Sequence, residues 1–256
     1  MRIIDKLVIK KSFALIPAIM IYNSHGIDIE GELKMIGEGI YTLAEVSRLT
    51  EVHPSTVRTW FKGRIDGAGR GCVFQSDYPP VGRDYAVSFL DMIDVLVAGQ
   101  LRLRYHVPMW MVRRAHEVLQ KELGTKHPFC HSDLYTDGRR IFISAASKLG
   151  EEKLHEVVSH QQFFVHIKEK LDRIVYSEST KLARQWKLIK GVVLDPLISM
   201  GKPIIENTGV TTYVVANQYF ANKERAALVA DLYEVTEKDV FNAVKFEHIY
   251  GRRHVA

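Results

Sequence analysis

The sequence predicts a mainly α chain with small β hairpins. It is an α+β protein made of a winged helix-turn-helix head, a helical dimerisation or middle region, and a trihelical, helix-turn-helix-like tail. Three observations predict this. Capping-box spacings recur at Thr42/Glu45, Ser88/Asp91 and Thr236/Asp239, each ahead of apolar residues at helical spacing. Glycine-dense and other turn-forming segments separate these helices from short β-rich runs. The apolar spacing of the first helix pair then returns near the end of the chain. Val46, Leu49, Val52, Val57 and Phe61 map onto Val229, Leu232, Val235, Val240 and Val244 at a constant offset, 229 − 46 = 183. The geometry that any helix-turn-helix must satisfy is enough to explain the repeat.

These observations divide the chain into an N-terminal extension (1–39), the head with a helical hairpin (40–124), a middle region or linker (125–191) and the tail (192–256). A length of 256 residues and ordinary apolar and charged fractions suit one large domain or a few small ones with real cores. The net charge of +5 is modest and evenly spread, so local clustering must carry any argument for a nucleic-acid partner. Cys72 and Cys130 stand far apart, giving neither a zinc signature nor a disulfide framework. No run has the length of a membrane span. The expectation is a cytoplasmic protein with no membrane contact, metal or cofactor.

Residues 1–39 carry Lys10-Lys11 ahead of an apolar run, Phe13 to Tyr22, broken by Pro17. A secretory signal lacks its small-residue cleavage site here. A strand-forming extension, or translation starting at Met35, is the better expectation.

In the head, Thr42 and Glu45 start a helix at Leu43, and Thr50-Glu51-Val52 is a turn. Pro54 opens a second helix with His53 as its cap. Rotation by 100° per residue turns Val57, Trp60 and Phe61 inward. Ser55, Thr59 and Lys62 point away, and Thr56 and Arg58 stand on the flanks. No carboxylate lies between Val52 and Ile65. Hydroxyls and cations without acids suit a helix in a DNA major groove, with Arg58 for a guanine edge. A glycine-rich stretch follows. Val73-Phe74 and Tyr85-Ala86-Val87 are expected to pair as a wing, with Arg64, Arg70 and Arg83 along the phosphate backbone. The expected DNA-binding residues are Ser55, Thr56, Arg58, Thr59, Lys62, Arg64 and Arg70.

Ser88 and Asp91 start a helix to about Tyr105, with Leu90, Ile93, Leu96, Val97 and Leu101 as one stripe. Pro108 opens the next, ending at Gly124. A homodimer through the helices of residues 88–123 is expected. Tyr135-Thr136-Asp137-Gly138-Arg139 signals a hairpin. Helical stretches follow at Glu151–Val158 and Gln162–Ile174, then a linker (176–191) with a short strand from Leu182 to Leu188. In the tail, Val192–Pro196 and Lys202–Ile205 form two strands around a turn. Helices then start at Thr211 or Thr212, near Arg225, and at Thr236. The last carries Glu237, Asp239 and Glu247 against Lys238 and Lys245, acids that phosphates repel. The tail therefore suits protein contacts better than DNA.

Two stretches carry a family resemblance. Tyr41-Thr42-Leu43-Ala44-Glu45-Val46, Pro54-Ser55-Thr56-Val57-Arg58-Thr59-Trp60 and Ser88-Phe89-Leu90-Asp91-Met92-Ile93 resemble the MerR-type winged helix-turn-helix. Leu194-Asp195-Pro196, Gly201-Lys202-Pro203-Ile204-Ile205, Gly209-Val210-Thr211-Thr212 and Val229-Ala230 through Asp239-Val240 resemble the family called domain of unknown function 433. With Thr136-Asp137-Gly138-Arg139 and Leu182-Ala183-Arg184-Gln185-Trp186, the whole is similar to VapB-type antitoxins. The sequence departs from the pattern at His53, where Ser or Thr is usual, and at Asn207-Thr208-Gly209. The resemblance implies the antitoxin of a type II toxin-antitoxin system that binds operator DNA, a double-stranded partner, and silences a PIN-like toxin protein. A MerR-like one-component regulator sensing a small molecule is the alternative. No phosphate-binding glycine loop, paired metal-ligand histidines or nucleophile motif supports an enzyme.

Overall fold

The computed structural model describes residues 39–63, 71–80, 85–134, 147, 168–169 and 171–251. Arg64, Arg70 and Arg83, the 135–139 hairpin signal and the Glu151–Val158 helix lie outside the described residues, as does the N-terminal extension through residue 38. Mixed α+β architecture is what the chain adopts.

The head begins with β1 (Tyr41–Thr42), α1 (Leu43–Thr50) and α2 (Pro54–Lys62). The capping box forms as the sequence predicts. Thr42 Oγ1 accepts from the Glu45 amide at 3.2 Å, and the Glu45 carboxylate accepts from the Thr42 amide at 2.9 Å. Two of the orphan amides of the helix start are thereby satisfied. Glu51 adopts the left-handed conformation (φ 61°) and ends α1. Val46, Val52, Val57, Trp60 and Phe61 are buried between the two helices and the body of the head.

The expected wing hairpin is corrected. Ala86–Val87 form β2, whose partner is β1, in the antiparallel pairs Tyr41↔Val87 and Thr42↔Ala86. Val73 and Phe74 instead turn their amides onto the Trp60 carbonyl, at 2.7 and 3.1 Å. That carbonyl lies in the last turn of α2, where the helix itself leaves acceptors free. Phe74 then packs its ring on Trp60 and Phe61, with centroids 6.0 and 5.8 Å away. The returning chain closes the end of α2 rather than forming a strand beside β2.

Ser88 and Asp91 form a second capping box, starting α3 (Phe89–Gly99), which continues as a wide turn through Arg104. Its expected single apolar stripe is too narrow a description. Apart from half-buried Leu90, every residue from Phe89 to Gly99 is buried. Gly99 is where the helix-turn-helix comes closest, since a Cβ there would lie 2.6 Å from a Val52 methyl. α4 (Met109–Leu123) runs from Pro108 to Gly124, as predicted.

A four-stranded antiparallel meander follows, ordered β3 (Ile174–Tyr176), β4 (Ala183–Ile189), β5 (Val192–Leu194) and β6 (Pro203–Ile205). The row Ile174–Trp186–Leu194–Pro203 crosses all four strands. Two expectations change here. Ile174 ends the predicted helical stretch but lies in β3. The stretch 176–191 is no linker, because β4 pairs on both edges. Ala183, Trp186 and Leu188 lie against the head's core, a register shift opposite Val175/Tyr176 breaking strict alternation between Ala183 and Trp186. Head and sheet thus share one core.

α5 (Thr212–Ala221), α6 (Ala226–Tyr233) and α7 (Glu237–Tyr250) complete the tail. The third capping box, Thr236/Asp239, forms at the start of α7. These helices enclose a smaller core of Ile205, Val215, Ala226, Val229, Ala230, Val240 and Ala243. Among the described residues no helix is long and apolar enough to cross a membrane.

Candidate nucleic-acid interface

The outward face of α2 follows from its inward one. Because Val57, Trp60 and Phe61 are buried, Ser55, Arg58, Thr59 and Lys62 must be exposed, and Thr56 is half-buried on the flank. Pro54 occupies the first turn, where its missing amide costs nothing. His53 caps the helix through Nδ1, which accepts from the Ser55 amide at 3.3 Å.

The hydroxyls and the cations on this face differ. Ser55 Oγ lies 2.8 Å from His53 Nδ1, and Thr59 Oγ1 donates to the Ser55 carbonyl at 2.8 Å. Both hydroxyls are thus engaged within the helix. Arg58 and Lys62 have no ionic or hydrogen-bonding partner among the described residues, and no described acid shares their helix. The chemistry offered outward is two exposed cations four residues apart, suited to phosphate oxygens or a guanine edge. Of the middle arginines, Arg113 donates to the Gly71 carbonyl at 2.7 Å and Arg114 pairs with Glu117 at 3.2 Å. Those two serve the fold. Arg102 and Arg104 remain exposed.

Residue selection from sequence missed a buried polar cluster behind α2. His127 Nδ1 meets Asp94 Oδ2 at 2.7 Å, and His127 Nε2 meets Asp77 at 3.0 Å. Lys126 Nζ reaches Asp77 Oδ1 at 2.6 Å. Burial alone would push the His127 imidazole down, but the Asp77 and Asp94 carboxylates on its two nitrogens raise it to about 10. Burial would raise Asp77, yet His127 and Lys126 hold it well below the usual carboxylate range. Burial and the Asp77 charge push Asp91 up to about 6. Burial, then the Asp94 charge, pushes the Cys130 thiol well up. An imidazolium therefore bridges two carboxylates and pins the 74–80 segment and residues 127–130 to α3. Sequence separations of 33 and 50 residues hide this cluster from any local motif search.

Head and tail also meet directly. Lys202 Nζ contacts Glu45 Oε1 at 2.7 Å, across a separation of 157 residues. A cleft of about 590 Å³ opens beside this pair, lined by Arg48 and Leu49 of α1 and by Tyr213, Phe246 and Glu247 of the tail. The tail's own surface carries Tyr213, Phe220, Leu232 and Phe241 exposed, and three of these four rim a groove between α5 and α7.

A profile of the family described as "Protein of unknown function (DUF433)" matches residues 192–246. The chain is 29% identical over 223 residues to "Putative antitoxin VapB45" of Mycobacterium tuberculosis, covering 80% of this chain and 92% of that protein. It is 22% identical over 233 residues to the uncharacterized protein Rv2308 of the same organism, covering 84% and 93%. The crystal structure of Rv2018 from Mycobacterium tuberculosis superposes with a TM-score of 0.64 at 26% identity, over 80% of this chain and 96% of that one.

Proposed function

We propose that this chain is the antitoxin of a type II toxin-antitoxin system, binding operator DNA through α2 and neutralising a PIN-like ribonuclease toxin. The observation that carries the reading is the near end-to-end likeness to the VapB45 protein, 92% of which aligns. Arg58 and Lys62, unpartnered and unopposed by acid among the described residues, support the DNA half. Arg58 reads a base edge, Lys62 holds phosphate, and Ser55, Thr56 and Thr59 add contacts to sugar or phosphate. Arg64 and Arg70, which follow α2 in the sequence, are proposed as further phosphate contacts. The exposed aromatics of the tail support the partner half, because apolar patches of this kind mark protein contacts.

Operator binding calls for a two-fold dimer, with recognition helices about 34 Å apart. α3 is buried within its own chain, so the dimer face falls to α4 and the turn before it. Trp110 (44% exposed) and Leu103 (51%) stand out there. The reading puts the protein in the cytoplasm with no catalytic role of its own.

The test is co-expression with the adjacent small open reading frame. The expected result is a stoichiometric complex that binds the shared promoter, with the neighbour toxic when expressed alone. No complex, with promoter binding intact, would replace the antitoxin reading with a one-component regulator. The cleft between α1 and the tail favours that second reading, since a small ligand there would touch the helix that supports α2.

A further inference from the structure

The cluster behind α2 holds more donors than its hydrogen bonds use. Asp94, His127 and Cys130 are all buried, and each offers one ligand atom within 4.8 Å of the others. Asp94 Oδ1 lies 3.6 Å from Cys130 Sγ. Asp94 Oδ2 lies 3.7 Å from His116 Nε2, too far for a hydrogen bond. Two buried polar atoms here have no hydrogen-bond partner, His116 Nε2 and Asp91 Oδ1. A buried polar atom without a partner is costly and calls for an explanation. His116 is held facing the cluster by Phe74 and Phe129, each edge-on with centroids 5.1 Å away. That clamp fixes the imidazole without satisfying it.

We propose that Asp94, His116, His127 and Cys130 bind one divalent transition metal of zinc's class, as a structural site that locks the back of the head. Two nitrogens, one thiolate and one carboxylate form a borderline set that suits zinc over magnesium or calcium. Tetrahedral zinc places such ligand atoms about 3.4–3.6 Å apart. Cys130 Sγ stands close to this from Asp94 Oδ1 (3.6 Å), and His116 Nε2 from the other carboxylate oxygen, Oδ2 (3.7 Å). Asp94, His127 and Cys130 already lie within 4.8 Å of one another, and His116, outside that group, closes on them as the fourth ligand when the ion binds. The 2.7 Å His127–Asp94 contact opens by less than about 1 Å when a metal replaces the proton between them. Binding displaces one proton from His127 Nδ1 and one from the Cys130 thiol, leaving a neutral imidazole and a thiolate as ligands.

The surroundings fit a metal centre beyond its ligands. His127 Nε2 is held by Asp77, and Asp77 in turn by Lys126. A carboxylate on the far nitrogen of a ligating histidine fixes its tautomer and orientation. Asp77 and His127 also line an open cleft, which gives the ion a path in. The four ligands come from α3, α4 and the 127–130 turn, so one ion would cross-link three elements that follow one another in the chain. The inference stands apart from the antitoxin reading and survives its failure.

The test uses the full chain, stripped with a chelator and titrated with Zn(II) and then Co(II). The expected result is one ion per chain and a tetrahedral Co(II) spectrum with a thiolate-to-metal charge-transfer band. Cys130→Ser should lose that band and Cys72→Ser should keep it. Asp77→Asn should weaken zinc by about 10- to 100-fold. If Cys130→Ser fails to fold, the spectrum of the native chain decides alone. No saturable binding overturns the proposal, and so does a Co(II) complex without a thiolate band.

Discussion

The first and last helix pairs of this chain share a geometry and differ in nearly everything they present. At the offset of 183, α1 (43–50) falls on α6 (226–233), and α2 starts at 54 where α7 starts at 237. The turn residue corresponds too, Glu51 (φ 61°) and Glu234 (φ 55°), as do the caps His53 and Thr236. Val46 and Val57 are buried as Val229 and Val240 are. Beyond that frame the pairs diverge. Arg58 corresponds to Phe241, which is 50% exposed, and Thr56 to Asp239. Trp60 and Phe61 correspond to Ala243 and Val244, so the large side chains are inside in the head and outside in the tail. The lesson is that turn and caps fix the helix pair, while the choice of outward residue sets the partner. One pair offers cations to a polyanion, and the other offers aromatic area to an apolar surface.

The largest effect that would test this contrast is on the head's interior. Phe74→Ala should destabilise the fold by about 3–5 kcal/mol in denaturant unfolding, because it empties the space between Trp60, Phe61 and His116. A loss under about 1 kcal/mol would mean that the head does not depend on its buried aromatics. Phe241→Ala should do the opposite. Stability should change by less than about 0.5 kcal/mol, while affinity for the co-purified partner falls by about 2 kcal/mol. Unchanged partner affinity would remove this surface from the interface.

On the DNA side, Arg58→Ala should weaken operator binding by about 1–3 kcal/mol with the fold intact. The converse change, Phe241→Arg, should confer no DNA binding, since Glu237 and Asp239 repel phosphates from the same helix. A gel shift by that variant's tail would break the contrast. The smallest effect concerns the link between the two regions. Burial raises the Glu45 carboxyl, but Lys202 and the Thr42 bonds outweigh it and hold it below its ordinary 4.5. A depressed carboxylate contributes stability above its unfolded value and loses it as pH falls through the folded one. The head–tail link should therefore weaken only below about pH 4.5, by less than about 1 kcal/mol because Lys202 is half exposed. Lys202→Ala should flatten that acid limb of the stability curve.

Helix starts were legible in the sequence because a capping box closes within four residues. Thr42/Glu45, Ser88/Asp91 and Thr236/Asp239 each formed where their spacing placed them. Rotation about the helix axis likewise placed Val57, Trp60 and Phe61 inward and Ser55, Thr59 and Lys62 outward, with Arg58 on the flank, where it is exposed. These are short-range relations, fixed by backbone geometry before any tertiary contact exists. The engagement of Ser55 and Thr59 was less visible, since a hydroxyl chooses its partner from geometry that the residue letter does not carry. Strand pairing was legible only for the tail's two strands around a turn, which formed as β5 and β6; the head's pairing was not. β2 could have paired with Val73-Phe74, but the free carbonyl of Trp60 drew those amides away. The burial of α3 on nearly every side and the gathering of His116, His127, Asp94 and Cys130 depend on residues tens of positions apart. Only packing could decide them, because desolvation and long-range contact are properties of the closed fold.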